Sequence, residues 1–490
     1  MDNKLIIKRL INKKVSATLL LSDVLSITMA FMSALAVSGF LQDYFGLSYY
    51  GDEENAYSFL SLIMGPLFLT LFYIKGHYTQ RVPWWSQVRY IFGICFIAFV
   101  SDVFIRLVLD LPVSEFFIAV SSVLLFFYIL VARQIVCFVF KRLGLWQMEA
   151  VIVGSVDTIT DILYAFHADY YVGYEVKTVV VRDKKDKNLD LDSVPQRYKD
   201  LEVLRDDIDY KDFIQSHLNS FFVVCLESFR GEERDALIAK FTENNMLYSV
   251  VPPTSSMSLF EMKPHDFFGY DIVLLYSRNN IFSIFGRLVK RSLDIVVSSL
   301  ALLFISPVIL AVAFFLKFEG QGGSIFYGGE RVGQFGKKFK CWKFRSMQPD
   351  SDHLLHELIE SDPEIKKEWV KFRKLKGEDP RVTTKTARLI RKLSIDELPQ
   401  LWNVFIGDMS LVGPRPILED EIELQGQSYH NYTMVRPGIT GLWQVSGRND
   451  TSFQRRVYMD DWYIRNWSIW GDIVILVKTL MVVLRGSGSY

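Results

Sequence analysis

Two adjacent acids, Asp396 and Glu397, lie in the segment SIDELPQLWNVFIGDMSLVGPRP. Pro399 follows them. Because proline is tolerated only in the first turn of a helix, a helix is predicted to begin within a few residues of Asp396. The free N–H groups at the start of a helix suit a phosphate group. The structural alternative is a capping box, because Ser394 and Glu397 have the required spacing.

Basic residues near the acids favour phosphate chemistry. Arg391 precedes the pair, and Arg415 lies in a Gly-Pro-Arg-Pro turn whose prolines hold its backbone rigid. The earlier segment ERVGQFGKKFKCWKFRSM carries six basic residues in fifteen positions, among them Lys343 and Arg345. This segment is either a membrane-facing basic patch or a collection of positive charge for an anionic substrate. A phosphate on a lipid satisfies both interpretations.

An apolar run from Ile295 to Leu316 precedes these segments and is long enough to cross a bilayer. Ser306 and Pro307 interrupt its middle. Proline removes one backbone hydrogen bond, and the serine hydroxyl can bond a freed carbonyl. Basic residues flank both ends of the run, so a spanning helix would place one basic cluster outside the cytoplasm, against the usual charge bias.

We therefore predict a helix–break–helix hairpin, the re-entrant helix 290–317, which enters from the cytoplasmic side and returns to it. A kinked helix that spans the membrane is the alternative. Arg291 and Asp294 lie one turn apart and are predicted to pair at the membrane interface. The apolar segment 468–485 is predicted either to lie along the interface or to pack in the core.

The whole chain has the composition of a membrane protein that carries soluble parts. It has 490 residues, a formal net charge of +0, 50% hydrophobic residues and a mean hydropathy of +0.18. The zero net charge gives no support for nucleic-acid binding, so no nucleic-acid partner is expected. Four scattered cysteines without a CxxC motif argue against a disulfide framework or a zinc site.

Four apolar segments near the N-terminus, at 16–41, 57–74, 89–109 and 115–140, are each long enough to span a bilayer. The loops between them alternate between basic and acidic. This alternation predicts that the N-terminus and the end of the fourth segment both face the cytoplasm. Residues 1–145 are therefore predicted to form a four-helix transmembrane bundle.

Residues 146–280 alternate predicted strands and helices, which indicates a small parallel α/β layer fold. The strand MEAVIVG ends at Gly154, after which a dinucleotide-binding turn would have glycines two and five residues later. Those positions hold Val156 and Ile159. We therefore predict a degenerate Rossmann-like module with a structural or regulatory role, followed by a mixed α/β domain over 281–490.

The Ser-Pro pair and the motifs KFRSM, SIDELPQLWNVFIGDMSLVGPRP, RPGITGLWQVSGRND and DDWYIRNWSIWGDI resemble those of the monotopic phosphoglycosyl transferases. These are bacterial polyprenyl-phosphate hexose-1-phosphate transferases. The resemblance covers residues 281–485, and the preceding bundle and module are similar to the large subgroup of that family. It implies a multi-pass protein of the bacterial inner membrane, a homodimer, with interfacial helices and a catalytic domain that faces the cytoplasm.

The resemblance also implies a reaction, the first membrane step of O-antigen, capsule or exopolysaccharide synthesis. Hexose-1-phosphate, galactose-1-phosphate by overall similarity, passes from a UDP-sugar to undecaprenyl phosphate and UMP is released. Asp396 is implied as the nucleophile that forms a covalent aspartyl-phosphosugar, and Asp396 and Glu397 are implied to hold Mg²⁺. Contacts to substrate phosphate or nucleotide are implied for Arg391, Arg415, Lys343, Arg345 and Arg436. UDP-glucose as the donor, or a non-catalytic membrane scaffold, are the alternatives.

Overall fold

The computed structural model divides the chain into two compact units, Met1–Pro253 and Thr254–Tyr490. The first unit holds the N-terminal helices and a parallel sheet, and the second holds the segments around the acid pair. The structure describes residues 3–45, 53–78, 81–111, 115–182, 189–191, 194–205, 208, 210–218, 220–229, 231–244, 246–253, 264–267, 270–275, 283–319, 324–347, 359–362, 365–366, 369, 381–382, 384–446 and 452–485.

Four long helices open the first unit. They are α1 (Asn3–Phe45), α2 (Glu53–Ile74), α3 (Trp84–Leu109) and α4 (Glu115–Arg142). The helices α1, α3 and α4 are each long and apolar enough to cross a membrane, and the described side chains of α2 add the shorter apolar stretch Met64–Ile74. Many large apolar side chains on these helices are exposed, as expected for helices that lipid surrounds. The four predicted apolar helices are confirmed.

One buried ion pair lies inside this bundle. The Arg133 guanidinium is 2.6 Å from the Asp23 carboxylate, and the Tyr78 hydroxyl donates to the same carboxylate at 2.7 Å. A single charge inside a membrane bundle is unfavourable, so pairing explains how α1 and α4 tolerate these residues. Tyr171 donates to the Arg133 carbonyl at 3.3 Å and thereby joins the bundle to the segment that follows it.

A five-stranded parallel sheet follows, with the strand order β3-β2-β1-β4-β5 of doubly wound α/β folds. Its elements are β1 (Met148–Gly154), α5 (Val156–Ala168), β2 (Tyr174–Val181), β3 (Glu202–Arg205), α6 (Tyr210–Ser216), β4 (Phe221–Cys225), α7 (Gly231–Glu243) and β5 (Tyr248–Val251). The predicted parallel layer fold is confirmed. Gly154, at the end of β1, allows close packing against β4, because a Cβ there would lie 2.6 Å from the Cys225 Sγ.

The second unit combines one long helix with many short elements. They are β6 (Pro264–Phe267), β7 (Tyr270–Leu275), α8 (Ile284–Phe318), β8 (Phe326–Val332), β9 (Lys338–Phe344), α9 (Lys385–Lys392), α10 (Gln400–Ile406), β10 (Ser410–Val412), α11 (Ile422–Gln425), α12 (Ser428–Thr433), β11 (Gly438–Thr440), α13 (Leu442–Val445), α14 (Phe453–Arg465) and α15 (Ile469–Arg485). Strands β6 and β7, and β8 and β9, pair antiparallel, whereas β10 and β11 pair in parallel. The predicted mixed α/β character is confirmed.

Helix α8 continues through Ser306 and Pro307, so the predicted break into two helices is wrong as a description of the local structure. Pro307 has no N–H for the Leu303 carbonyl, four residues earlier. The Ser306 Oγ donates to that carbonyl instead, at 2.8 Å. This substitute hydrogen bond satisfies the freed carbonyl, and the helix continues without interruption.

Arg291 and Asp294 do not pair with each other, which corrects the predicted interfacial pair. Arg291 donates to the carbonyls of Val404 and Phe405, at 2.7 and 2.8 Å, in the last turn of α10. Carbonyls in the last turn of a helix lack partners within the helix and form its negative end. They therefore attract the guanidinium more effectively than a neighbour on α8.

Asp294 instead fastens α8 to β10. It is 3% exposed and accepts hydrogen bonds from the Ser410 hydroxyl and the Leu411 N–H, each at 3.0 Å. Lys290, one turn earlier, lies 2.7 Å from the Asp472 carboxylate of α15. Two charged residues of α8 thus have their partners elsewhere in the second unit.

Helix α15 packs in the core along its first half, which is one of the two predicted placements, and the interfacial placement stays a prediction. Asp472 and Ile475 in its first half are buried, 8% and 4% exposed. Leu480 and Leu484 in its second half are 60% and 77% exposed. The first half therefore packs in the core, and the second half presents an apolar surface.

Strands β10 and β11 bring the Gly-Pro-Arg-Pro motif beside the motif RPGITG. Ser410 lies opposite Gly438 in the parallel register. A Cβ on Gly413 would lie 2.6 Å from the Arg436 carbonyl oxygen, and a Cβ on Gly438 would overlap the Gly413 amide nitrogen. Glycine is needed at both positions because the two backbones touch.

We expect Gly438→Ala to destabilise the protein by about 3 kcal/mol or more, because the added methyl group meets backbone that cannot rotate away. The measurement is the thermal unfolding midpoint of the protein in detergent. Gly231→Ala is the matched control, since a Cβ there has open space around it. Equal midpoints for the two variants would contradict the close approach of β10 and β11.

Candidate active site

The acid pair lies on a tight turn rather than in a regular helix. Residues Ile395–Glu397 form one 3-10 turn, and α10 begins after Pro399. Ser394 adopts a left-handed conformation, φ 56°, and its side chain makes no cap hydrogen bond. The capping-box alternative is therefore wrong, whereas the prediction that a helix begins close to Asp396 is confirmed.

Lys343 is the basic residue that the structure brings directly to the acids. Its ammonium lies 2.7 Å from the Glu397 Oε1, and both side chains are 34% exposed. Lys343 is the penultimate residue of β9, so the hairpin of β8 and β9 supplies the cation and the turn before α10 supplies the carboxylates. Two segments of opposite charge, 54 residues apart, form the centre of the site.

The electrostatic environment leaves Asp396 less acidic than a free aspartate. Burial and the neighbouring Glu397 carboxylate raise the pKa of Asp396 to about 6, and the charges of Lys343 and Arg391 only partly counteract them. Burial alone would lower the pKa of Lys343, but attraction by Glu397 and Asp396 outweighs it and raises that pKa. Lys343 therefore stays charged, while Asp396 is held in surroundings that disfavour its carboxylate.

Arg391 stands at the end of α9, one turn before the acids, and its charge acts on Asp396. Helix α9 is fixed at its start by Thr384, which caps it by accepting the Ala387 N–H, and by Glu319 at the end of α8. Glu319 accepts the Thr386 hydroxyl at 2.5 Å. The end of α8 thus determines where Arg391 lies.

Arg415 lies in the turn after β10, and its described contacts are with α13 and α14. Burial raises the pKa of the Cys341 thiol on β9, and the charges of Lys343, Glu397 and Arg415 all act on the same thiol. Arg415 therefore contributes to the electrostatics of β9, the strand that carries Lys343. The turn itself is held by Asp460 of α14, whose carboxylate accepts the Arg415 N–H at 3.2 Å.

Comparison with known proteins shows which family the sequence matches. A sequence model described as bacterial sugar transferase matches residues 285–486. The chain is 35% identical over 462 residues to an uncharacterized sugar transferase of Haemophilus influenzae, covering 92% of this chain and 95% of that protein. It is 34% identical over 478 residues to the undecaprenyl-phosphate galactose phosphotransferase of Salmonella typhimurium, covering 96% and 97%. It is 35% identical over 415 residues to the UDP-galactose-lipid carrier transferase of Erwinia amylovora, covering 84% of each.

The chain belongs to the bacterial sugar transferase family. The resemblance drawn from its motifs is thereby confirmed over nearly its full length. It is an enzyme, and the site described above lies within the matched region.

Asn403 is a residue of this sugar transferase that its motifs did not single out. It is 0% exposed, and its side-chain amide makes two hydrogen bonds to the backbone at the outer edge of β9. Its Oδ1 accepts the Trp342 N–H at 3.0 Å, and its Nδ2 donates to the Lys340 carbonyl at 2.8 Å. Asn403 thus imitates a neighbouring strand and fixes the register between β9, with Lys343, and α10, which follows the acids. Only its place inside an apolar helix signals this role.

The transferase places the remaining predicted residues differently. Arg345 directly follows β9, and its N–H donates to the Ile325 carbonyl at 2.8 Å. Arg436 donates through Nε to the Gly407 carbonyl at 2.7 Å, and its charge interacts with those of Arg291 and Asp294. The described contacts of Arg436 thus lie at the end of α10 beside α8, and they do not bring it to the acid pair.

The donor set of the transferase fits Mg²⁺ once a substrate phosphate is present. Within the described ranges, no group of three acids, histidines or cysteines forms a complete metal site. Mg²⁺ in phosphoryl-transfer sites takes one or two carboxylates together with substrate phosphates. Asp396 and Glu397 supply two such carboxylates, and the repulsion between them is the condition that a divalent cation relieves.

We expect Asp396→Asn to stabilise the metal-free transferase at pH 8 by about 1 to 3 kcal/mol. Because the folded state raises the pKa of Asp396 from 3.8 to about 6, ionisation above pH 6 disfavours folding. The gain should shrink as the pH falls from 6 toward 4, where wild-type Asp396 is protonated. Thermal unfolding in EDTA across this range measures it.

The exposed Asp235→Asn serves as the control for that measurement, with no gain expected at any pH. A gain for Asp396→Asn that is the same at pH 4.5 and pH 8 would contradict the electrostatic explanation.

Proposed function

We propose that this transferase moves hexose-1-phosphate from a UDP-sugar to undecaprenyl phosphate and releases UMP. The observation that carries the proposal is the acid pair Asp396–Glu397, with the Lys343 ammonium 2.7 Å from Glu397 and the charge of Arg391 acting on Asp396. A diphosphate donor carries negative charge, which these cations neutralise. The galactose-lipid carrier and undecaprenyl-phosphate names of the full-length relatives support the same substrates.

The chemistry divides into two displacements at one phosphorus atom. The Asp396 carboxylate attacks the phosphorus that bears the sugar, the bond to the bridging oxygen breaks, and that oxygen leaves with UMP. A phosphate oxygen of undecaprenyl phosphate then attacks the same phosphorus, and Asp396 leaves as a carboxylate. The carboxylate needs no base, since a pKa of about 6 leaves it mostly ionised at pH 7.5.

The neighbouring residues have distinct tasks in this scheme. Lys343 holds Glu397 in place and balances the charge of the pair. Arg391 and Arg415 bind the phosphates of donor and leaving group, and Arg345 is a further candidate for this role. When bound at Asp396 and Glu397, Mg²⁺ supplies charge neutralisation for the phosphoryl oxygens.

We also propose that α8 bends at Ser306 and Pro307 without losing its helical conformation, enters the membrane and keeps both of its ends on the cytoplasmic side. Contacts at the two ends of the helix support this placement. Lys290 and Asp294 near its start contact α15 and β10, and Leu316 near its end packs with Phe344 and Ile390. A helix that crossed the bilayer could not have both ends against one cytoplasmic domain. The homodimer implied by the resemblance stays a prediction.

The donor sugar is proposed as galactose, on the names of two full-length relatives. Glucose differs only in the orientation of one hydroxyl and remains the second candidate donor. The α/β module is proposed to be structural. Ser155 and Thr158 at the start of α5 both donate to Glu227, which therefore occupies the position where a nucleotide phosphate would bind.

Asp396→Asn tests the proposed reaction. We expect UMP release from UDP-galactose, with undecaprenyl phosphate and Mg²⁺, to fall by about 10³-fold or more, because an amide cannot replace the nucleophile. Glu419→Gln is the control, since its exposed pair with Lys338 lies on the surface. Near-normal turnover by Asp396→Asn would contradict the assignment of the nucleophile. Comparison of UMP release by the wild-type protein from UDP-galactose and from UDP-glucose decides the donor sugar.

Cysteine labelling tests the path of α8. The four native cysteines are buried, so Arg287→Cys and Lys317→Cys introduce exposed thiols at the two ends of the helix. We expect a membrane-impermeant maleimide to label both in inverted vesicles and neither in intact spheroplasts. Ser48→Cys, in the loop predicted to be periplasmic, is the positive control in spheroplasts. Labelling of Lys317→Cys in spheroplasts would mean that α8 spans the membrane.

A further inference from the structure

The turn that carries Arg415 has a single backbone donor of its own. Proline has no N–H, so in the sequence Pro414-Arg415-Pro416 only the central residue can donate from its backbone. That N–H donates to the Oδ2 of Asp460 on α14, at 3.2 Å. On the acceptor side, the Pro414 carbonyl receives the Gly438 N–H at 2.8 Å. One carboxylate therefore holds the donor side of this turn.

The side chain of Arg415 lies against residues of α13 and α14. Its guanidinium carbon is 5.9 Å from the centre of the Trp443 ring, and the guanidinium carbon of Arg456 is 4.7 Å from a Trp443 ring centre. Arg456 is 4% exposed and Trp443 is 8% exposed, whereas Arg415 is only partly buried. The indole attracts both cations and keeps two like charges close together.

The ionisable groups around Trp443 act on one another. Burial lowers the pKa of Arg456 to about 10, and repulsion by Arg415 contributes to the shift. Burial raises the pKa of Asp460 to about 8, and the hydrogen bond from the Arg415 N–H and the charges of Arg415 and Arg456 only partly counteract it. The backbone of Arg415 is thus held by Asp460, and its side chain lies against Trp443.

We propose that Asp460, together with Arg456 and Trp443, positions Arg415 to bind the phosphate of the nucleotide-sugar donor. The proposal rests on the proposed function, in which Arg415 contacts that phosphate. Asp460 is a positioning residue, since it acts through the Arg415 backbone. None of the motif roles implied for this chain includes Asp460, Arg456 or Trp443.

Asp461 provides a matched control on the same helix. It is the next residue, and it has its own two partners: it accepts the Asn431 Nδ2 at 2.8 Å and the Arg465 Nε at 2.8 Å. Truncation of Asp461 removes two side-chain hydrogen bonds from α14, against one for Asp460, without touching the Arg415 turn. A merely structural role of Asp460 predicts equal effects for the two truncations.

The experiment compares steady-state UMP release by the full-length protein and its variants over a range of UDP-galactose concentrations. Asp460→Ala is expected to lower kcat/KM for the donor by about 10- to 100-fold, mainly through KM, as misplacement of a binding group does. Asp460→Asn should recover most of this loss, because its amide oxygen still accepts the Arg415 N–H. Asp461→Ala should keep the KM of the wild type.

A double-mutant cycle with Arg415→Ala separates positioning from general damage. If Asp460 acts through Arg415, Asp460→Ala should change kcat/KM by less than about threefold once Arg415 is absent. Fully additive losses, an equal rise in KM for Asp461→Ala, or loss with Asp460→Asn as severe as with Asp460→Ala would each overturn the proposal.

Failure of the proposed function would give a different pattern. If wild-type protein released no UMP, or if Arg415→Ala alone left kcat/KM unchanged, the substrate or the role of Arg415 would be wrong. Equilibrium binding of UMP to wild type, Asp460→Ala and Asp461→Ala gives a readout independent of turnover. Weaker UMP binding confined to Asp460→Ala supports the positioning role, and equal binding by all three contradicts it.

Discussion

One side of α8 is the constraint on which the second unit depends. Lys290 and Asp294 hold α15 and β10 at its start, and Leu316 packs with Phe344 and Ile390 at its end. Strand β10 leads into the turn of Arg415, Phe344 ends the strand of Lys343, and Ile390 precedes Arg391. The catalytic groups therefore take their positions from a helix whose other side, rich in exposed apolar residues, suits lipid. Insertion into the membrane and assembly of the site therefore depend on the same helix, α8.

The ionised acid pair is electrostatically unfavourable in the folded protein, and contacts elsewhere in the second unit hold it in place. Two carboxylates adjoin on a tight turn, and Lys343 pairs with Glu397 while the charge of Asp396 also acts on it. Under the proposed function, a divalent cation or a covalent bond to the carboxylate would relieve this repulsion. The turn keeps its position despite this repulsion because two hydrogen bonds of Asn403 hold α10 against the edge of β9. The same residues thus specify both the geometry and the reactivity of Asp396.

Short-range patterns predicted the elements, and long-range contacts decided the details. The strand MEAVIVG, the apolar helices and the helix after Asp396 follow from periodicity and proline placement alone. Helix α8 continues through Pro307, and the Ser306 hydroxyl satisfies the Leu303 carbonyl that the proline leaves without an N–H partner. Arg291 and Asp294 found partners more than 110 residues away, which helical spacing cannot reveal. Asn403 and Asp460 act across 45 to 63 residues, so their partners cannot be read from the motifs that contain them.

The central claim is that Asp396 carries the sugar phosphate covalently between donor and acceptor. The most direct measurement is the mass of the peptide that contains Asp396, after incubation of the protein with UDP-galactose and Mg²⁺ in the absence of undecaprenyl phosphate and a rapid acid quench. The account predicts a peptide heavier by one hexose phosphate, together with release of UMP in an amount stoichiometric with the enzyme. An unmodified peptide, with UMP released only when undecaprenyl phosphate is present, would instead establish direct transfer and contradict the account.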